Sequence, residues 1–258
     1  MPRLITPGKE QNNVDRYSDL IHQIINGKDE NDPDYDQLAL ETCHVAKFIC
    51  QLDDNIEIVR KSERPDFIIK YHNRLIGLEH EILVKEESKQ KEGSFKDLVK
   101  SLQSEYREVH PDKKLLLTIY PSPNLKFRKV DKPRISKEIM ILIEDFITHD
   151  TLPENDYIDK LTTQPHSRLD FSCNLGAWWQ INLVSETLNE AIQKKENKVS
   201  TYRENSRTSE QWLLIVIGSV GDSSYEIESI ESIRNIEGTN FDKVYLLEDF
   251  QANLYEVK

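Results

Sequence analysis

Cysteine and long apolar runs are scarce in this sequence, and their scarcity excludes several classes of protein. Its 258 residues include three cysteines, in no spacing typical of a disulfide framework or a zinc ribbon. Cys43 and Cys50 fall on one predicted helix about 10 Å apart, which is too far to form a disulfide. No stretch approaches the ~18 consecutive apolar residues of a membrane-spanning helix, and the first residues lack the apolar run of a secretory signal. We therefore expect a cytoplasmic protein without a membrane partner.

Positive charge is also in short supply, with 34 lysines and arginines against 46 aspartates and glutamates and a net charge of −12. This balance argues against a general nucleic-acid coat protein, which neutralises phosphates with basic side chains. It does not exclude an enzyme that acts on nucleic acid and concentrates basic residues locally. The stretches 126–134 and 194–207 are locally basic, although most such runs are solvated faces. From them we predict nucleic-acid-binding residues: Lys126, Arg128, Lys129, Lys198 and Arg203.

Apolar periodicity predicts helices and strands along the chain. Helices are predicted at 36–52, 94–109, 136–150 and 186–199, and strands at 64–71, 74–84, 115–120, 211–218 and 243–248. Ser94 is the predicted N-cap of the second helix, after a charged loop at 85–93. The run at 115–120 is continuously apolar, which is typical of a strand buried on both faces.

The order of these elements is typical of an α/β protein. It predicts a single α/β domain over residues 1–258, with a mixed central β-sheet flanked by helices. Residues 1–33 are polar and are predicted to form a peripheral N-terminal arm or a short helix. The segment 121–184 has no clear motif and is predicted to be an insertion within the core.

The most informative segment is a predicted hairpin whose strands carry acidic residues. If His72-Asn73 is a two-residue turn, paired positions have residue numbers that add up to 145, which places Asp66 opposite Glu79. Side-chain alternation then puts Asp66, Glu79 and Glu81 on the same face. A slip of one residue in this register would instead separate Asp66 from Glu79.

The opposed carboxylates of this hairpin require a compensating positive charge, because like charges opposite each other destabilise a sheet. A hard divalent cation supplies it, since Mg²⁺ commonly binds one or two carboxylates together with waters and a substrate phosphate. The alternative is an exposed acidic face balanced by Arg64. Acidic residues are depleted in strands and this hairpin is apolar on both faces, which favours the metal site.

Two charged residues interrupt apolar helix stripes. Glu41 lies in the middle of the stripe of helix 36–52, where a glutamate is rarely buried unless it is paired or metal-bound. Lys195 is central in the stripe of helix 186–199. Its amine either belongs to a site or reaches solvent while its stem covers the core.

The spacing of Pro65-Asp66, a twelve-residue gap and Glu79-His80-Glu81 in an apolar strand resembles the PD-(D/E)XK nuclease superfamily, whose fold is restriction-endonuclease-like. Glu81 replaces the lysine of the usual motif, and some type II restriction enzymes carry a similar Glu-x-Glu ending. The resemblance covers roughly residues 36–120 and 185–250. In the second range, Lys198-x-x-x-Tyr202 and the strand after it look like the helix-strand unit that closes this fold.

The resemblance implies a metal site that holds Mg²⁺, with Mn²⁺ as a substitute. Asp66 and Glu79 would bind the ion, with the His80 carbonyl as a further ligand. Glu41 would bind directly or through water, because many members place a helical glutamate beside the metal. The His80 side chain points to the opposite face by alternation, which is typical of a core histidine.

The resemblance also implies the catalytic residues, which are Asp66, Glu79, Glu81 and Lys195. Glu81 would orient or deprotonate the attacking water, and Lys195 or Lys198 would supply the positive charge of the replaced lysine. A metal polarises the phosphoryl oxygen and lowers the pKa of its bound water.

We therefore expect a metal-dependent endonuclease that hydrolyses DNA phosphodiester bonds, with a role in restriction or antiviral defence. It would act as a homodimer or with a partner protein of a defence system. The alternative is a catalytically silent nuclease-fold protein that binds nucleic acid or a partner protein, which the replaced lysine and the net charge favour. No P-loop, dinucleotide-binding, nucleophile-elbow or H-E-x-x-H motif supports another chemistry.

Overall fold

A computed structural model describes residues 3–6, 14–122, 125, 131–175, 180–218, 221, 223–233, 236 and 238–258. These residues form two compact units. The first unit draws its described residues from 3–84, 181–218 and 224–258, and the second from 85–180 together with Gly221 and Ser223. In sequence, the second unit thus interrupts the first, and most of the predicted insertion at 121–184 falls within it.

The described residues form helices and strands in a mixed order. In chain order they are β1 Arg3–Thr6, α1 Val14–Ile25, α2 Tyr35–Leu52, β2 Glu57–Lys61, β3 Phe67–Tyr71, β4 Arg74–Ile82, α3 Glu86–Val109, β5 Leu115–Pro121, α4 Lys132–His149, β6 Ile158–Pro165, β7 Asp170–Cys173, β8 Ile181–Asn182, α5 Ser185–Glu196, α6 Val199–Ser206, β9 Glu210–Ile217, β10 Tyr225–Glu226, β11 Lys243–Glu248 and β12 Asn253–Glu256. Within the described residues, none of the helices is long and apolar enough to span a membrane.

The first unit is built on a sheet that, among the described residues, has seven strands in the order β1-β12-β11-β9-β4-β3-β2. Strands β4, β9 and β11 run parallel, and the other neighbours are antiparallel. Apolar residues of α1 and α2 pack on one face of the sheet, and those of α5 and α6 on the other. The predicted mixed α/β architecture is confirmed, with six α-helices in the described part of the chain.

The hairpin β3–β4 has the predicted register. His72 and Asn73 form its two-residue turn with φ angles of 48° and 62°, the left-handed conformation that a type I′ turn requires. Phe67 pairs with Leu78 and Tyr71 with Arg74, so the paired residue numbers add up to 145 as predicted. Asp66, which precedes β3, therefore lies beside Glu79.

The N-terminal segment contributes to the first unit. Strand β1 pairs with β12 at one edge of the sheet, and Leu20 of α1 is buried in the core with Phe48 of α2. The predicted peripheral arm thus contains a strand and a helix. A short helix was one of the two expectations for this segment, whereas the strand β1 was not predicted.

The second unit contains a sheet with the order β6-β5-β7 and the helices α3 and α4. Leu115, Leu117 and Ile119 of β5 are buried, while the alternate residues of the strand are half-buried. The prediction of a strand buried on both faces is therefore wrong. A continuous apolar run alone did not distinguish this strand from one with a single buried face.

Helix boundaries differ from the prediction at three places. Helix α3 begins at Glu86, so the predicted loop at 85–93 and the cap at Ser94 are wrong. Its first turns bury Glu92 rather than an apolar side chain, which leaves no apolar periodicity to detect. Helix α4 begins at Lys132, with Pro133 in its first turn. The predicted helix 186–199 ends at Glu196, and α6 follows it.

Candidate active site

Strand β4 presents its acidic residues to one face of the sheet and His80 to the other. Glu79 and Glu81 pair with Leu213 and Ile215 of β9, which belong to the apolar core formed with α5 and α6. Glu79 is only 5 % exposed. A carboxylate this deeply buried requires compensation, because charged groups lose hydration in a protein interior.

Asp66 lies at the start of the hairpin beside this carboxylate. Its Oδ2 accepts a hydrogen bond of 2.8 Å from the backbone N–H of His80. Burial, together with the negative charge of Glu79, raises the pKa of Asp66 to about 6. The predicted convergence of Asp66 and Glu79 is thus present, and its electrostatic cost is visible in the pKa of Asp66.

The two oxygens of Glu79 differ in their partners. Oε1 accepts hydrogen bonds from the Tyr202 hydroxyl at 2.7 Å and from Lys195 Nζ at 2.9 Å. Oε2 is buried and has no hydrogen-bond partner among the described residues. A buried carboxylate oxygen without a donor is costly, so this oxygen is a candidate ligand for a cation.

Lys195 bridges the two glutamates of β4. Its Nζ lies 2.9 Å from Glu79 Oε1 and 2.8 Å from Glu81 Oε2. Burial alone would lower the pKa of Lys195, but the hydrogen bond to Glu81 and the charge of Glu79 outweigh it and raise that pKa. Of the two lysines considered from the sequence, Lys195 enters the site, whereas Lys198 is exposed at the start of α6.

Glu41 is partly buried on α2 and is paired with a lysine that the sequence did not single out. Its Oε2 lies 2.6 Å from Lys61 Nζ, and its Oε1 accepts a hydrogen bond of 2.8 Å from the Gln37 side chain. Lys61 Nζ also lies 3.8 Å from Asp66 Oδ1. Lys61 thereby connects Glu41 of the helix to Asp66 of the hairpin.

Sequence reasoning missed Lys61 and Tyr202 for different reasons. Lys61 ends β2, a short strand with a register irregularity after Ile58 and no clean alternation. In the sequence, Tyr202 is part of the Lys198-x-x-x-Tyr202 motif only and is not predicted as a site residue. It lies on α6, separate from the helix α5 that carries Lys195, and its hydroxyl donates to Glu79 Oε1.

The other face of β4 holds a pair of histidines. His80 Nε2 and His44 Nδ1 are 3.0 Å apart, and both side chains are buried. Burial and the neighbouring His44 lower the pKa of His80 well below its usual value. One ring therefore donates to the other in the neutral form, and the prediction of a core histidine is confirmed. His44 had no signal in the sequence.

The predicted nucleic-acid-binding residues differ in their surroundings. The Arg203 guanidinium forms hydrogen bonds within the protein, since it donates to the carbonyls of Ser209 and Asn240 and to the Asp242 carboxylate, at 2.6, 3.1 and 2.8 Å. Lys198 is exposed. Three predicted residues lie outside the described part of the chain: Lys126, Arg128 and Lys129.

A cavity of about 320 Å³ opens beside the acidic residues, lined by Glu41, Asp66, Glu81 and Lys195 together with Gln37 and Leu40. It is large enough for a hydrated ion and a phosphate group, though at the lower limit of small-molecule pockets. Its charged lining suits an ionic ligand rather than an apolar one.

The carboxylates of the site fit a hard cation by their chemistry. Asp66, Glu79, Glu81 and Glu41 offer oxygen donors only, the set that Mg²⁺ prefers, and Glu79 Oε2 is unpartnered within the described residues. As they stand, no three acidic, histidine or cysteine side chains in the described ranges form a ready-made metal-binding group. Lysine ammonium groups lie between the carboxylates instead.

Comparison with known proteins gives no relative from which a function could be transferred. No protein-family model, no curated protein and no solved structure matches the chain. What the site does has to be inferred from its own residues.

Proposed function

We propose that this protein is a Mg²⁺-dependent DNA endonuclease with a restriction-endonuclease-like core. The observation that carries the proposal is the Glu79 carboxylate, which is buried beside Asp66 with one oxygen unpartnered among the described residues. A purely structural glutamate at this depth would be expected to satisfy both oxygens. A cation bound there would satisfy the second oxygen and relieve the repulsion between the two carboxylates.

The arrangement of secondary structure supports the proposed core. Helix α2 precedes the hairpin β3–β4, and α5 and α6 lead into β9, which pairs in parallel with β4. The resemblance in the sequence also covers the predicted helix 94–109 and strand 115–120, which belong to the second unit and not to this core. Glu41, Asp66, Glu79 and Glu81 come from two separate segments of that core and line or adjoin the same cavity.

In the proposed enzyme, Asp66 and Glu79 hold Mg²⁺, with the His80 carbonyl as a further ligand. Glu41 binds it directly or through water. When bound, the ion supplies Lewis-acid polarisation of the phosphoryl oxygen and acidifies its bound water. The carboxylates contribute by fixing the position of the ion.

The charge of Lys195 and the exposure of Glu81 indicate their roles in the proposed mechanism. Lys195 stays protonated, because Glu79 and Glu81 raise its pKa, so it acts through its positive charge and not as a base. Glu81 is the least buried carboxylate on β4, with about a third of its side chain exposed. It lines the cavity and is therefore the group that orients the attacking water and accepts its proton.

The wider biological role rests on the resemblance in the sequence. Restriction or antiviral defence in the cytoplasm, as a homodimer or with a partner protein of a defence system, extends the proposal to the setting in which such nucleases act. The local basic residues Lys126, Arg128, Lys129 and Lys198 are the proposed contacts to the DNA backbone.

Incubation of a supercoiled plasmid with Mg²⁺, Mn²⁺ or EDTA tests the proposal. We expect the wild-type protein to nick or linearise the plasmid with either ion and not with EDTA. Glu81→Gln is expected to lose about 10²–10⁴-fold in rate, the usual contribution of a positioned proton acceptor. Glu81→Lys is expected to fail as well, since Lys195 already supplies the cation.

The catalytically silent alternative predicts a different pattern. A site that has decayed by losing its lysine would leave the wild type inactive with every metal, and Glu81→Lys would restore cleavage. That result would contradict the proposed function. Cleavage that persists at the wild-type rate in Glu81→Gln would show that Glu81 is not the base.

A further inference from the structure

Lys61 occupies a position that neither the sequence nor the proposed mechanism assigns to a function. Its Nζ lies 2.6 Å from Glu41 Oε2 and 3.8 Å from Asp66 Oδ1. Both carboxylates are proposed metal ligands in the same cavity. The ammonium of Lys61 therefore neutralises part of the negative charge with which Glu41 and Asp66 would attract a metal ion.

The charge balance of the cluster shows what this ammonium does. Four carboxylates, those of Glu41, Asp66, Glu79 and Glu81, are offset by the two lysines Lys61 and Lys195. When all are ionised, the cluster keeps two uncompensated negative charges. One divalent cation neutralises two such charges, but it can take Glu41 and Asp66 as ligands only where the Lys61 ammonium no longer occupies them.

Lys195 makes more close ion pairs than Lys61 and is less exposed to solvent. Lys195 contacts two carboxylates at 2.8 and 2.9 Å, and 15 % of its side chain is exposed. Lys61 has one close carboxylate, and 30 % of its side chain is exposed. Its ammonium also lies 4.5 Å from the Phe67 ring centre, a weaker contact at a site open to water. Lys61 is thus the lysine that can leave its carboxylates at lower cost.

We propose that Lys61 is a resident counter-ion of the metal site, which competes with the divalent cation for Glu41 and Asp66 and moves away when the cation binds. This inference rests on the proposed function, because it requires that the carboxylates bind a metal. The affinity of the site for a divalent cation then depends on two opposing terms. The attraction of the cation to Glu41 and Asp66 favours binding, and the attraction of Lys61 to the same two carboxylates opposes it.

Calorimetric titration of Mn²⁺ into metal-free wild type, Lys61→Met and Lys70→Met tests the inference. Methionine keeps a long apolar stem against Phe67 and removes the charge. Lys70 on β3 is the matched control, since it pairs with the exposed Glu57 at 3.6 Å, outside the cluster. We expect Lys61→Met to bind Mn²⁺ up to about fivefold more tightly than wild type, the upper range for releasing one partly exposed ion pair, and Lys70→Met to match wild type.

Labelling of lysine amines, read by mass spectrometry, tests the movement without a substitution. We expect the reactivity of Lys61 to rise when Mn²⁺ is added, while that of Lys195 stays low. This measurement also covers the case in which Lys61→Met does not fold.

The outcomes separate the inference from the proposed function. Unchanged or weaker Mn²⁺ binding in Lys61→Met, or Lys61 reactivity that Mn²⁺ does not alter, would overturn the counter-ion role while the metal site stands. No Mn²⁺ binding by wild type or by Lys61→Met would overturn both.

Discussion

Glu79 in the first unit and Glu92 in the second are both almost completely buried, at 5 % and 6 % exposure. Their surroundings differ. Glu92 uses one oxygen to accept the backbone N–H of Ser223 at 2.7 Å and the other to accept the Ser223 hydroxyl at 3.0 Å. Glu79 receives two donors on one oxygen, and its second oxygen has none among the described residues.

The difference separates a structural carboxylate from one available for chemistry. Both oxygens of Glu92 are occupied by Ser223, so the carboxylate fastens that residue to α3 and has no open position. Glu79 is fixed by Tyr202 and Lys195 on one side only, and Asp66 beside it adds repulsion. Burial alone does not distinguish the two acids, whereas the unpaired oxygen and the like-charged neighbour of Glu79 support its proposed role in the site.

The largest effect that distinguishes the two glutamates should occur in catalysis. We expect Glu79→Gln to lower Mg²⁺-dependent plasmid cleavage by at least about 10²–10³-fold, because it removes a charged ligand from the reacting site. Glu92→Gln should cleave at the wild-type rate at a temperature where it is folded. An equal loss of cleavage rate in the two variants would show that burial of the carboxylate, and not its open oxygen, determines the effect.

Removal of the bridging lysine should cause the largest change in stability. In metal-free Lys195→Met, Glu79 and Glu81 face each other without a cation, and we expect a loss of about 3 kcal/mol in the free energy of unfolding at neutral pH. Denaturant unfolding measures it, with exposed Lys198→Met as the control, expected within about 0.5 kcal/mol of wild type. An unfolding free energy of Lys195→Met equal to that of wild type would show that other groups compensate the charges of the two glutamates.

The raised pKa of Asp66 makes the stability of the metal-free protein depend on pH. Because the folded-state pKa of about 6 exceeds the usual value of 3.8, the folded protein holds this proton more tightly than the unfolded chain does. The resulting stability is fully present below about pH 4 and is lost as the pH rises through about 6. We expect Asp66→Asn to lose this dependence, measured as the difference between wild-type and variant unfolding free energies at pH 4 and 7 in EDTA. A constant difference would contradict the raised pKa.

The smallest effect concerns the structural carboxylate. In Glu92→Gln, one of the two Ser223 donors faces an amide NH₂ instead of an oxygen, and we expect a loss of about 1–2 kcal/mol in unfolding free energy. Glu79→Gln should be neutral or slightly stabilising in the absence of metal, because it removes a charge from a repulsive pair. Thermal unfolding of both variants in EDTA compares them, and a destabilised Glu79→Gln beside a neutral Glu92→Gln would reverse the interpretation.

The parts of the site that the sequence predicted are those with a local signal. The turn at His72-Asn73 and the alternation along β4 determine which acids share a face. The interruption of an apolar stripe marked Glu41 and Lys195, since a helix face shows its exceptions at regular spacing. These predictions need only the geometry of a hairpin and of a helix.

The parts that escaped prediction depend on pairing between distant segments. Lys61 reaches Glu41 through the pairing of β2 with β3, and β2 has no clear pattern of its own. Glu92 meets Ser223 from more than 100 residues away in sequence. These contacts are made by polar side chains. The spacing of apolar residues along the sequence therefore does not predict them.

The most direct test of the central claim is a calorimetric titration of Mn²⁺ into metal-free wild type, Glu79→Gln and Glu92→Gln. If the open oxygen of Glu79 belongs to a divalent-cation site, wild type and Glu92→Gln should bind Mn²⁺ with the same affinity, and Glu79→Gln should bind at least about 10-fold more weakly. Mn²⁺ binding that is unchanged in Glu79→Gln, or absent from wild type, would contradict the assignment of this cluster as a metal-dependent active site.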